Sequence, residues 1–181
     1  IAARLTAAEL MQWQAEGVAW PEGVGLIVED SRADILQRRI PKVGVDGDVA
    51  VALGANALEL PDVTEARRHA EGLAWALAAM AHKLPEARLM APLRTYSTPG
   101  GLLTSDGTVT PVGLAFAICA HALDGAEPER EFRADEVRGW LFTRGDERIA
   151  FVWATRRGQE ATLAINATGA VLIGISLLYD F

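Results

Sequence analysis

Cysteine occurs once in this chain, at Cys119. One thiol cannot close an intrachain disulfide, and its place inside an apolar run reads as a small buried hydrophobe. Histidine is nearly as scarce. His69, His82 and His121 stand apart, and none belongs to a ligand-spaced group with cysteines or carboxylates, so neither a metal site nor a metal cofactor is expected. Blocks of basic residues are missing too: 17 Lys and Arg face 24 Asp and Glu, a net charge of −7. That balance argues against nucleic acid as a partner, because neutralising phosphates takes clustered cations. The apolar runs fall short of the roughly 20 residues that cross a bilayer, so no membrane partner is expected. The first residues show no basic segment followed by an apolar run of the signal-peptide kind. Nucleotide-binding and hydrolase loops are absent as well. Gly23-Val24-Gly25 lacks the further glycine of a dinucleotide fingerprint, and there is no Gly-x-Ser-x-Gly elbow.

What is present is apolar. Half of the 181 residues are hydrophobic, enough for a substantial core and incompatible with global disorder. The length suits one domain or one and a half. The chain begins at Ile1 and stops at Phe181 within an apolar, strand-like run, which reads as a segment cut from a longer protein.

Local signals divide the chain in two. Thr6-Ala7-Ala8-Glu9 fits a capping box and predicts a helix from about Thr6 to Glu16, ended by Gly17. Gly23 to Glu29 and Asp48 to Leu53 are short apolar runs between turn signals, predicting buried strands. Between them, Ser31 to Arg39 predicts a short helix stopped before Pro41. Asp62 is placed to cap the longest helix, along which Ala70, Leu73, Leu77, Met80, Ala81 and Leu84 share a face before Pro85. Ala87 to Leu93 predicts a third strand. Thr110-Pro111 then reads as N-cap and first helical residue of a helix buried on most sides, closed by Asp124-Gly125. Helices alternating with short apolar strands predict βα units around a parallel sheet.

After Gly125 the pattern changes. Glu127-Pro128-Glu129 reads as a linker. Val137 to Thr143 alternates, with Trp140 and Phe142 opposite in facing to Leu141, and Ile149, Phe151 and Trp153 share one face of the next strand. Arg144-Gly145-Asp146-Glu147 predicts the hairpin turn between them. Thr162 to Ile165 and Val171 to Leu178 predict two more strands, separated by Asn166-Ala167-Thr168-Gly169. The fold class is therefore α/β: a parallel βα segment over 1–125, then an antiparallel, sandwich-like β unit over 126–181.

Three carboxylates stand where parallel-sheet enzymes place their chemistry. Glu29 and Asp30 end the first predicted strand, and Glu59 follows the second. Side chains at the C-terminal ends of parallel strands converge on one rim, and paired carboxylates there can serve as acid and nucleophile. Asp30 also precedes a predicted helix and fits a plain cap. Arg144-Gly145-Asp146 matches an integrin-binding tripeptide, but a tight turn wants Gly and Asp for its own reasons. Asn166-Ala167-Thr168 is a formal glycosylation sequon.

Residues 101–125, Gly-Leu-Leu-Thr-Ser-Asp-Gly-Thr-Val-Thr-Pro followed by an apolar helix to Leu-Asp-Gly, resemble the end of the catalytic barrel in retaining (β/α)8 glycoside hydrolases of the clan A type. A β-sandwich commonly follows that barrel. Val137-Arg138-Gly139-Trp140-Leu141-Phe142 and Ile149-Ala150-Phe151-Val152-Trp153 are similar to its opening hairpin, and Leu177-Leu178-Tyr179-Asp180 to a later strand. The resemblance covers roughly 60–181.

On that template Ala87–Leu93, Asp48–Leu53 and Gly23–Glu29 become the eighth, seventh and sixth strands, so 1–125 is a partial barrel holding its last third. A complete barrel takes about 250 residues. The family's nucleophile, a glutamate ending the seventh strand, has no counterpart in Leu53-Gly54-Ala55-Asn56; Glu59 is the nearest acid. The family's Asn-Glu pair, which carries the acid/base, occurs nowhere in this chain. Where the eighth strand often offers a tryptophan, this one has Leu93-Arg94-Thr95-Tyr96, and Arg94 and Tyr96 become the candidate substrate contacts. The resemblance thus implies a carbohydrate-active, hydrolase-like protein with Glu59 as candidate catalytic residue, a glycan or polysaccharide as partner and no cofactor. The remainder of a larger chain or a second subunit would complete it. The alternative is a non-catalytic module that binds glycan or protein, with surface aromatics such as Trp20, Tyr96 or Trp140 stacking on sugar rings.

Overall fold

The computed structural model describes residues 1–29, 33–52, 65–90, 101–134 and 136–155, the side chains of 33–35 and 65–69 excepted. Among these residues, seven strands and four α-helices follow one another as β1 (Ala2–Thr6), α1 (Ala7–Glu16), β2 (Gly25–Glu29), α2 (Ala33–Arg39), β3 (Val49–Ala52), α3 (Glu65–Lys83), β4 (Arg88–Met90), α4 (Pro111–Leu123), β5 (Glu127–Arg133), β6 (Val137–Arg144) and β7 (Glu147–Ala154). Strands β1 to β4 form one parallel sheet in chain order, and β5 to β7 form a separate antiparallel sheet, also in chain order. The α/β class predicted from the sequence is present at this level. The predicted strands at 162–165 and 171–178, the Asn166 sequon, the Asp62 cap and Asp30 all lie outside the described residues.

Capping fixes where the helices begin. Thr6 Oγ1 accepts from Glu9 N–H, and the Glu9 carboxylate accepts from Thr6 N–H at 2.7 Å, so the predicted box is closed in both directions. The Thr6 backbone N–H, and after it the Thr6 hydroxyl, donate to the Glu9 carboxylate and hold its pKa below the usual carboxylate range. At α4, Thr110 Oγ1 accepts from Gly113 N–H at 3.0 Å and donates to Gly101 O at 2.6 Å, with Pro111 in the first turn. Thr110→Ala therefore removes both a cap and a tether, and thermal or urea unfolding should show a loss of about 1–2 kcal/mol.

Two elements differ from the sequence reading. Ala2–Thr6 is a strand, although no strand is predicted ahead of α1; five residues mixing alanine, Arg4 and Leu5 carry little periodicity, and pairing with β2 creates the strand. Glu127-Pro128-Glu129 is not a linker but the start of β5. Its charges and proline suit the edge it occupies, and a register shift between Pro128 and Arg130 accommodates the proline. Helix α2 does end at Arg39, ahead of Pro41 as predicted, and Pro41 sits within a following 3-10 turn, Ile40–Lys42.

One face of the parallel sheet supplies the core. Ala3, Leu5, Leu26, Val28, Val49, Val51 and Leu89 alternate along the strands and join one cluster with Leu10 of α1, Leu36 of α2 and the buried side of α3. Leu26, Val28, Val51 and Leu36 have no exposed surface. Helix α3 is the hub: Ala70, Leu73, Leu77 and Met80 are buried as their spacing predicts, and so are Ala74, Ala76, Ala78 and Ala79. The small residues let α4 approach closely on one side and the β5–β6 hairpin on another.

That second contact is aromatic. Trp75 of α3 meets Trp140 edge-on at 4.3 Å and Trp153 at 4.9 Å, while the Arg138 guanidinium lies 4.1 Å over the Trp75 ring. Phe142, fully buried, contacts the His82 ring at 6.0 Å and Phe151 at 5.8 Å. Burial lowers the His82 pKa, with Glu131 raising it and Lys83 lowering it to lesser degrees. A histidine whose folded pKa is depressed binds its proton more readily when unfolded, so stability falls as pH drops through its unfolded value of about 6.5. Stability measured from pH 7.5 to 5 should decline more in the wild type than in His82→Gln. Equal slopes would remove His82 from the account.

Helix α4 is more one-sided than predicted. Val112, Ala115 and Cys119 are buried, whereas Leu114, Ala117 and His121 are exposed. Its uniformly apolar composition hides that asymmetry from any count of hydrophobic residues.

Candidate functional site

The face of the parallel sheet turned away from the helices has a different character. In register it carries Ala2 and Gly25, then Arg4, Ile27, Ala50 and Arg88, then Thr6, Glu29, Ala52 and Met90. None of these belongs to the core cluster. Glu29 ends β2, so it stands at the C-terminal rim of the sheet, beside Thr6 and Ala52. Arg4 lies one strand away and two positions back on the same face, and its Nη2 donates to Glu29 Oε1. The pair is open to solvent, with about two-thirds of the Arg4 side chain and a third of the Glu29 side chain exposed. Further toward the N-terminal end, Arg88 pairs with Asp48 at 3.1 Å.

Register explains the pair. Because β1 and β2 run parallel with Arg4 opposite Ile27, period-two alternation carries Arg4 and Glu29 to one side of the sheet. The close approach of the strands at the other end depends on glycine. A Cβ on Gly25 would lie 2.8 Å from Asp48 O and one on Gly47 3.1 Å from Gly25 N, so side chains there would push β3 away from β2.

The arrangement presents one oriented carboxylate and a guanidinium that holds it on an exposed rim, beside Thr6, whose hydroxyl is engaged in the α1 cap. Such a surface can accept hydrogen bonds from, and donate them to, a polyhydroxylated ligand. Among the described residues no group of three or more His, Cys, Asp or Glu could hold a metal ion. Nor is Cys119 a nucleophile: it is buried in α4, and burial pushes its thiol up to about 12.

Of the carboxylates singled out in the sequence, Glu29 is placed on the rim as its position predicts. Glu59, Arg94 and Tyr96 lie outside the described residues. Arg4 was missed, because the strand that carries it was missed; the alternation of Ala2, Arg4 and Thr6 with Ala3 and Leu5 is its only sequence signal. The proposed sugar-stacking aromatics fare differently. Trp140 is 2% exposed, enclosed by Trp75 and Trp153, and its indole N–H has no hydrogen-bond partner among the described residues. Trp20 is buried against Trp13, with its N–H donated to Val24 O at 2.6 Å. Both are packing residues, and neither presents a ring to a ligand.

The Arg144-Gly145-Asp146 turn is likewise committed to the fold. Gly145 takes a positive φ of 57° in the two-residue connection between β6 and β7. Arg144 donates to Glu147 at 2.9 Å and to the carbonyls of His121 and Asp124 at the end of α4, at 3.0 and 3.2 Å. Its guanidinium therefore ties the hairpin to the helix rather than extending toward a receptor.

Among the described residues no helix is long and apolar enough to cross a membrane. No protein-family model, curated protein or solved structure matches the chain.

Proposed function

We propose that this chain is the C-terminal part of a glycoside hydrolase-like, carbohydrate-active protein, and that the polar face of the β1–β4 sheet is its sugar-facing surface. The observation that carries this is the placement of Glu29. It stands, held by Arg4, at the C-terminal rim of a parallel sheet whose strands follow in chain order.

The order and the two unlike faces support a partial barrel. A doubly wound sheet reverses its strand order at a switch point, and β1 to β4 do not. Helices α1, α2 and α3 all join the core from one side of the sheet, as barrel helices do, and the other side carries Arg4, Glu29 and Arg88. On this reading that second face lines the barrel, with Glu29 at its C-terminal rim. On that template β2, β3 and β4 take the sixth, seventh and eighth places and β1 the fifth. The remaining strands would come from the rest of a larger chain or from a second subunit, and β5 to β7 would open the following sandwich.

Retaining glycoside hydrolysis uses two carboxylates about 5–5.5 Å apart, one attacking the anomeric carbon and one protonating the leaving oxygen. Glu29 supplies one carboxylate on the rim. Glu59, which follows β3, is the candidate for another, and Arg94 and Tyr96, which follow β4, are candidate sugar contacts. A binding-only role has its own support, since Leu53-Gly54-Ala55-Asn56, where the template asks for the nucleophile, contains no acid. Hydrolysis of an aryl-glycoside panel by the complete protein, compared with Glu59→Gln and Glu29→Gln, separates the two. Loss of turnover in either variant with folding intact supports catalysis. Glycan binding without turnover by the wild type supports the binding module, and neither binding nor turnover on any glycan overturns the proposal.

A further inference from the structure

No further inference is drawn: the strongest candidate, the exposed apolar patch formed by Leu114 and Ala117 on α4 with Val109 beside its N-terminus, is an unpartnered helix face, and nothing in the structure shows what covers it.

Discussion

Phe142→Ala should cost about 3–5 kcal/mol in urea unfolding, enough to leave little of a marginally stable fold. Phe142 is fully buried in the middle strand of the antiparallel sheet, where its ring touches Phe151 and the His82 ring of α3. Truncation removes the apolar surface and leaves a cavity walled by two rigid elements, α3 and β6, that cannot collapse without breaking the Trp75–Trp140–Trp153 contacts beside it. Phe142→Leu, which keeps most of the volume, should lose less than half as much. Similar losses in the two variants would mean that the sheet is not seated on α3 as described.

Gly113→Ala should be comparably damaging, at about 3 kcal/mol, for the opposite reason. A Cβ there would lie 2.2 Å from Leu102 O and 3.1 Å from Val109 Cγ1. The first of these is backbone, so no side-chain rotation relieves it. The loop before α4 would have to shift, taking with it the Thr110 bonds to Gly101 and Leu102. Alanine is ordinarily a better helix former than glycine by about 1 kcal/mol. A neutral or stabilising result would therefore show that the 101–110 loop does not pack on the helix. In contrast to Gly113, Gly107 has open space around its missing Cβ and is special only for its φ of 89°, so Gly107→Asn should be far milder.

Such contrasts show what local signals can reveal. The Thr6/Glu9 box, the Thr110-Pro111 start and the Arg144–Glu147 turn were legible because each is decided within four residues by hydrogen-bonding chemistry. The strands at Gly25–Glu29 and Val49–Ala52 were legible as apolar runs bounded by turns. Beyond that range legibility fails for physical reasons. β1 and β5 take their conformation from a partner strand, and their own residues, alanines and arginine in one and glutamates and proline in the other, do not demand it. Alternation put Trp140 and Phe142 on one face of their strand, yet only the structure shows that this face is buried, with Trp75 of α3 against Trp140. The candidate site is the hardest case. Glu29 could be placed at a strand end from sequence, whereas Arg4 reaches it only through the β1–β2 register, across 25 positions of chain.

The face that carries Arg4, Glu29 and Arg88 is also what the proposed function rests on. A sheet that buried apolar side chains on both faces would need no ligand to explain it. This one spends charged residues on a face that parallel sheets ordinarily cover, and sets a carboxylate at the rim where barrels place their chemistry.

The most direct test is a titration of the protein with a panel of oligosaccharides, followed by backbone-amide chemical shifts in the wild type and in Glu29→Gln. Saturable shifts should cluster at the C-terminal ends of β1, β2 and β3, around Thr6, Glu29 and Ala52. Loss of a hydrogen bond to a charged group should weaken binding in the variant about tenfold or more. Saturable shifts confined to the helical face or the β5–β7 sheet, or none with any glycan, would contradict the assignment of this face as the sugar-binding surface.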